Sequence, residues 1–442
     1  MSGEESLAGD SSPQATGRGA GLPHRSPLPA RFLLEGEGVG GRLKEHPEDF
    51  VVDELPLYQP SGQGEHLYVC VRKQGLSHHE AMRALSSHFG VPERRIGFAG
   101  MKDKHAVTSQ VFSIHVGNAT FPTATGAIRP GLEIAWMERH GNKLRRGHLA
   151  GNRFSIRIRG VDPLLAPRAA RRLAHLERLG APNAFGPQRF GYRANNHVLG
   201  AYLVHRAWQA ALDELLGSCG TPFPAYQAER RRLYDEGRHG DAAALWTRSD
   251  HAELAALRAL SEGADARRAC LAIGRAQLGF YVNAFQSAVF NWLLDDRIAR
   301  GALGTLEPGD LAWKHDSRAV FAVTEELCAS GELMDRLATL EISPSGPLWG
   351  PGMTTASGVV GERERAALAE AGVTIEHLEQ SPIRVEGARR AMRVRLAHPD
   401  VDSGFDEHGP YVRVAFDLER GAYATVVLRE IMRAEVDGDE ER

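Results

Sequence analysis

Apolar and polar residues alternate over several short stretches in the first third of the chain, and a period of two predicts strands. Residues 49–54 carry Phe50, Val51 and Val52, and residues 66–72 read His-Leu-Tyr-Val-Cys-Val-Arg. The segment 60–64, Pro-Ser-Gly-Gln-Gly, supplies turn chemistry between them. Helical spacing follows over 77–89, with Ser77 as N-cap, Glu80 three residues on to complete a capping box, and Gly90 as the stop. Further strands are predicted at 111–116, 132–138 and 153–158, then an amphipathic helix over 164–179. From about 202 to 278 the pattern changes to long helices rich in Ala, Leu and Arg, continued by an apolar helix at 280–294. Residues 301–347 are mixed, and strand character returns at 392–396 and 411–418. Strands at both ends with helices between them predict an α+β fold. In it a mainly antiparallel mixed sheet is interrupted by a helix-rich insertion and completed by the C-terminal strands.

Composition narrows the class. The 442 residues are 42% hydrophobic and 25% charged, ordinary for a globular protein. No run of eighteen apolar residues spans a membrane. The first thirty residues, rich in Gly, Ser and Pro, read as a disordered tail, and 435–442 as an acidic one. Four widely spaced cysteines, Cys70, Cys219, Cys270 and Cys328, form neither a disulfide framework nor a zinc ribbon, which points to a reducing cytoplasm.

The net charge of −3 speaks against a nucleic-acid binder, but the charge is unevenly spread. Arg139, His140, Lys143, Arg145, Arg146, His148, Arg153, Arg157 and Arg159 fall in one stretch, and Arg94, Arg95, Lys102, Lys104 and His105 in another. The first is a candidate track for phosphates, with Arg139, Lys143, Arg145 and Arg146 its leading contacts; the bland alternative is solvated surface charge. Two motifs are set aside. Residues 36–41 spell GxGxxG, but Pro47 follows and no helix opens. His78-His79-Glu80 lacks the second histidine of HExxH, because position 83 is Arg83.

Three segments carry candidate chemistry. Residues 97–110 read Gly-Phe-Ala-Gly-Met-Lys-Asp-Lys-His-Ala-Val-Thr-Ser-Gln. Lys102 and Lys104 flank Asp103 and favour its ionised form, suited to a nucleophile or base; taken alone, the segment also reads as a solvated charged turn. Residues 183–191, Asn-Ala-Phe-Gly-Pro-Gln-Arg-Phe-Gly, combine groups that read a base edge with aromatics that stack on it or anchor a core. Residues 420–425 place Tyr423 at the tip of a turn.

The segment around Asp103 resembles the GxKDxxAxTxQ signature of the TruD family of pseudouridine synthases, and 183–191 resembles that family's NxFGxQRFG motif. Residues 47–54 resemble its PEDFxVxE, 61–67 its GEGEH turn, and 139–154 its RHxxKLxxGxLxGNxF stretch. Segments 388–392 and 421–430 resemble its C-terminal pieces. These matches run in family order from about residue 40 to 432.

The resemblance implies a catalytic domain over 31–204 and 399–434, interrupted by a TRUD insertion over 205–398. It implies isomerisation of uridine to pseudouridine in tRNA, typically at position 13, with no metal and no organic cofactor. Asp103 takes the place of the family's catalytic aspartate; Phe50, Asn183, Phe185 and Tyr423 take those of its uridine pocket, with Lys44 and Lys102 as nearby basic groups. A cytoplasmic monomer acting on tRNA is expected. Two departures stand out: Tyr423 replaces the phenylalanine common in bacterial members, and 191–278 is longer than in compact bacterial relatives. Three other readings compete: a non-catalytic RNA-binding or RNA-chaperone module of the same fold, a glycosidase lacking its required second carboxyl acid, and a partner-binding protein that would explain none of the motifs.

Overall fold

The computed structural model describes residues 25–102, 104, 106–117 and 124–436. Asp103 and His105 therefore lie outside the described residues, as do most of the two expected tails.

The fold is α+β. Strands β1 (Phe50–Pro56), β2 (His66–Lys73), β3 (Ile96–Phe98), β4 (Val107–His115), β5 (Gly126–Arg129), β6 (Leu132–His140) and β7 (Leu149–Arg159) come from the front of the chain. After the short β8 (Ala181–Pro182), the helical segment carries β9 (Leu311–Lys314), β10 (Val320–Ala322), β11 (Ile342–Leu348) and β12 (Ala388–Ala391). The chain returns through β13 (Arg393–Val394) to β14 (Leu396–Asp406) and β15 (Gly409–Glu419). The main sheet runs β14-β15-β7-β1-β4-β2-β6-β5, with β3 also paired to β4. Only β1 and β4 pair in parallel in this sheet (Val51 opposite Val107); its other pairs are antiparallel.

Register explains how one face of this sheet is built. Phe50, Val52 and Glu54 of β1 lie opposite Ile156, Phe154 and Asn152 of β7, and Val52 lies beside Thr108 of β4. Thr108 and Gln110 in turn face Lys73 and Val71 of β2. The period of two therefore puts all these side chains on one face. On its β15 side they join an apolar core with Ile156, Phe416 and the helices Ala166–Leu179 and Ala424–Met432. On its β6 side Val69, Val71, Phe112 and Ile114 pack on the helix His78–Phe89. Between the two cores runs a polar seam of Glu54, Thr108, Gln110 and Lys73, all buried.

The helix His78–Phe89 has the predicted ends: Ser77 accepts from the Glu80 amide, Glu80 returns the bond, and Gly90 closes it at φ 63°. His78 packs against the rings of Phe98, at 4.3 Å, and Phe112, and burial lowers its pKa to about 4.

The long helices expected over 202–278 are instead short ones: Asn196–Val204, Trp208–Leu216, Ala228–Asp235, His239–Ala244, His251–Ser261 and Ala266–Ala272. Gly217, Gly220, Pro222, Pro224, Gly237 and Gly263 interrupt the pattern. They surround the helix Arg275–Ala299, whose core cluster also takes in Ala184, Phe185, Phe190 and Leu199. The helical unit's core therefore reaches upstream of residue 205, and β14 starts at Leu396, ahead of 399. Residues 25–30 are also not a free tail. Arg25 pairs with Glu370 and lies 5.1 Å over Trp292, and the carbonyls of Ser26, Pro27 and Pro29 accept from Trp292, Asn291 and Arg429.

Candidate active site

The residues that lead to Asp103, Gly100 to Lys102, lie over the polar seam, and the seam holds them. Gln110 Nε2 donates to the Gly100 carbonyl at 3.2 Å, and Lys73 Nζ donates to the Lys102 carbonyl at 3.2 Å. The Lys102 side chain turns inward, 3.3 Å from Glu54 Oε2 and 2.5 Å from Asn152 Oδ1. The Lys102 and Glu54 side chains are 6% and 2% exposed. Burial lowers the Lys102 pKa and raises that of Glu54, while each is opposed by the charge of the other. Backbone and side chain just ahead of Asp103 are thus both fastened. Thr108 Oγ1 and Gln110 Oε1 are buried beside them without a hydrogen-bond partner among the described residues.

A second cluster gathers Asn183, Phe185 and Tyr423. Phe185 is buried, 5.7 Å from Phe290 in a T-shaped contact and 6.2 Å from Tyr423. The Arg390 guanidinium lies 4.2 Å over its ring and that of Arg189 5.4 Å. Arg189 Nη2 also reaches the Tyr423 hydroxyl at 3.5 Å. Arg390 holds the Asn183 amide and the Gly421 carbonyl. A Cβ on Gly186 would sit 2.9 Å from Thr425 Oγ1 and 3.2 Å from Tyr423 Cδ1, so the turn after Phe185 needs glycine to close on Tyr423. The two clusters are joined through the sheet: Asn152 is in register with Leu418, and Arg420, three residues before Tyr423, donates its amide to Ala150.

Phe50 and Lys44 form a third group. Lys44, at φ 57°, places its ammonium 4.8 Å over the Phe50 ring, which is buried in the sheet core. Of the expected pocket, the structure brings Asn183, Phe185 and Tyr423 together, seats Lys102 inside the seam, and puts Phe50 and Lys44 at the other end of β1. Glu54, Asn152, Arg189 and Arg390 had no role assigned from sequence, although each lies inside a motif already noted.

The basic stretch is largely spent within the fold. Arg139 donates to the Gly64 and Gly117 carbonyls, and Lys143 to the Arg94 carbonyl at 2.6 Å. Arg153 pairs with Asp417 at 2.7 Å and Arg157 with Asp406 at 3.6 Å; Arg159 is buried between Asp49 and Asp406. Arg145 and Arg146 stay exposed. They sit beside the Asp103 loop, because the next residue, Gly147, donates its amide to Ala99 at 2.8 Å.

The family model described as tRNA pseudouridine synthase D (TruD) matches residues 30–431, a span that includes the helical segment. A tRNA pseudouridine synthase D of Geobacter sulfurreducens is 40% identical over 417 residues, covering 92% of this chain and 98% of that protein. Its counterpart in Geobacter metallireducens is 38% identical, covering 91% and 98%. The crystal structure of a Methanosarcina mazei protein, described as a candidate TruD, superposes with a TM-score of 0.76 at 26% identity, over 92% of this chain and 97% of that one.

Proposed function

The chain belongs to the tRNA pseudouridine synthase D (TruD) family, and from that premise we propose that it isomerises uridine 13 of tRNA to pseudouridine through the carboxylate of Asp103. The observation that carries this reading is the double tether on the Asp103 loop: carbonyls held by Lys73 and Gln110, and the Lys102 side chain locked to Glu54 and Asn152. A carboxylate acting on one ribose carbon needs a fixed approach, and anchored residues just ahead of Asp103 favour one.

The reaction breaks the N1–C1′ bond, turns the uracil, joins C5 to C1′, and moves the C5 proton to N1. Asp103 acts on the ribose, by attack at C1′ or by removal of the C2′ proton. The target base first leaves its stack, and Tyr423, backed by the buried Phe185, replaces part of the lost stacking, worth about 1–3 kcal/mol per base. Asn183 holds the uracil edge. The catalytic domain spans residues 31–204 and 399–434 around the insertion, with the main-sheet strand β14 entering it from Leu396. The widely spaced cysteines support a cytoplasmic setting, and a monomer is the favoured state. Separately, no helix among the described residues is long and apolar enough to cross a membrane.

The test is pseudouridine mapping on unmodified tRNA transcripts by carbodiimide-blocked reverse transcription, comparing wild type with Asp103→Asn. A single stop at position 13, absent with the variant while RNA binding persists, is the expected result. Binding without any stop would leave only an RNA-binding module.

A further inference from the structure

The Asn183 side-chain amide is held from both ends by contacts of opposite sense. Arg390 Nη2 donates to Oδ1 at 2.5 Å, and Nδ2 donates to the Ala391 carbonyl at 2.8 Å. A guanidinium has no acceptor and a carbonyl has no donor, so the oxygen must face Arg390 and the nitrogen must face Ala391. Turning the amide over would set donor against donor and acceptor against acceptor. The holder is itself fixed. Arg390 Nε donates to the Asn183 carbonyl at 3.2 Å, Nη2 also donates to the Gly421 carbonyl at 2.9 Å, and the guanidinium lies 4.2 Å over Phe185 and 5.7 Å over Phe290. The Asn183 amide nitrogen of the backbone donates to Met392 at 2.9 Å. Burial brings the Arg390 pKa down to about 10, so it is still a cation at neutral pH. No carboxylate among the described residues is within ion-pair distance of it. Its donors converge instead on one amide and the turn before Tyr423.

After these contacts the Asn183 amide keeps one acceptor lone pair and one N–H. Uracil presents a donor at N3 next to an acceptor at O4. Cytosine, in the same pose, presents an acceptor at N3 next to a donor at N4. An amide free to flip serves either base; one that cannot flip serves only one. We propose that Arg390 is a specificity-determining positioning residue, which locks the Asn183 amide in the orientation that accepts uracil and rejects cytosine. This rests on the reading of Asn183 as the group that holds the uracil edge of the target nucleotide.

The experiment uses the full chain with two tRNA transcripts, one bearing uridine and one bearing cytidine at the target position. Wild type, Arg390→Met, Arg390→Lys, Asn183→Ala and the Arg390→Met/Asn183→Ala double variant are compared. Three quantities are read: the single-turnover rate of pseudouridine formation, the Kd for tRNA, and the ratio of cytidine to uridine transcript affinities. We expect Arg390→Met to slow the single-turnover step by roughly tenfold or more, the scale of one lost charged hydrogen bond, with tRNA Kd moved by less than about twofold. The slowing should be absent in the Asn183→Ala background, because the two residues act as a unit. The uridine preference should narrow with Arg390→Met. Arg390→Lys keeps the charge and one donor, and should fall between wild type and Met; it serves if the Met variant does not fold. Losses that multiply in the double variant, or an unchanged uridine preference in a folded Arg390 variant, overturn the proposal. A wild type that makes no pseudouridine on any transcript overturns the functional reading beneath it.

Discussion

The ion pair under the Asp103 loop offers a quantitative test of how the seam holds the site. Lys102 and Glu54 are nearly unexposed, 3.3 Å apart, and Lys102 has one further partner in Asn152. Truncating one member of a buried pair typically costs about 3–5 kcal/mol, because the other charge is left without compensation. Each single variant has its own ceiling, since the orphaned group can neutralise instead. For Glu54→Leu, deprotonating a lysine with an ordinary pKa of about 10.4 costs about 4.6 kcal/mol at pH 7 and about 2 kcal/mol at pH 9. For Lys102→Met, protonating a glutamate of ordinary pKa about 4.3 costs about 3.7 kcal/mol at pH 7 and about 1 kcal/mol at pH 5.

The signs follow from burial, which disfavours each charged form. An orphaned Glu54 has a raised folded pKa, so the stability it contributes is present at low pH and lost as pH rises. An orphaned Lys102 has a lowered folded pKa, so its contribution is present at high pH and lost as pH falls. The two variants should therefore show opposite pH dependences relative to wild type. The Glu54→Leu/Lys102→Met double variant should recover most of the stability, yet remain slow in turnover because the bond to Asn152 is gone. The assay is urea unfolding followed by hydrogen exchange in β1 and β7 peptides, which isolates the sheet from the helical unit, at pH 5, 7 and 9. Single-variant losses that do not change with pH, or a double variant that loses the sum of both, would refute this account.

The remaining predictions concern the basic stretch and the sheet. Arg145→Ala with Arg146→Ala should weaken tRNA binding and lower the slope of log K against log salt by about 1–2, since each lost phosphate contact removes about 0.7–0.9; an unchanged slope in filter-binding titrations would take the pair off the RNA path. Arg159→Met leaves the buried Asp49 without its guanidinium, donated at 2.8 Å, and should cost about 3–5 kcal/mol in urea melts; a loss under about 1 kcal/mol would refute the pair as an anchor of the sheet. Arg159 also holds the Asp406 carboxyl down at about 2, so that contribution is present above the ordinary aspartate pKa and lost as pH falls through about 2. In Arg159→Met an NMR titration of Asp406 should move back up toward the ordinary value. Gly151→Ala would put a Cβ 2.1 Å from the Leu418 carbonyl, so β7 and β15 would have to separate; soluble protein with a wild-type far-UV spectrum would contradict that close approach.

What could be read from the sequence and what could not divide along contact range. Local signals held: the alternation of 66–72, the Ser77–Glu80 box and the Gly90 stop each involve residues within a turn of one another, and each formed as expected. The strand β14 was missed because its exposed edge position leaves mostly polar, half-exposed residues and tolerates Pro399, so no clean alternation marks it. The site shows the same division. The motifs led to Asn183, Phe185 and Tyr423, but the group that orients Asn183 is 207 positions away, and Lys102 meets its partners across 48 and 50 positions. Charge is the signal that the fold redistributes most. A run of arginines from 139 to 159 looks like a phosphate track when counted along the chain. Three of them, Arg153, Arg157 and Arg159, meet distant acids only in the folded sheet: the β14–β15 hairpin laid beside β7 brings in Asp417 and Asp406 from about 250 residues downstream, and Arg159 also takes Asp49 from 110 residues upstream. Sequence clustering therefore overcounts free cations wherever a sheet imports the counterions, and the exposed arginines of this stretch with no acid partner among the described residues are Arg145 and Arg146, beside the segment that leads to Asp103.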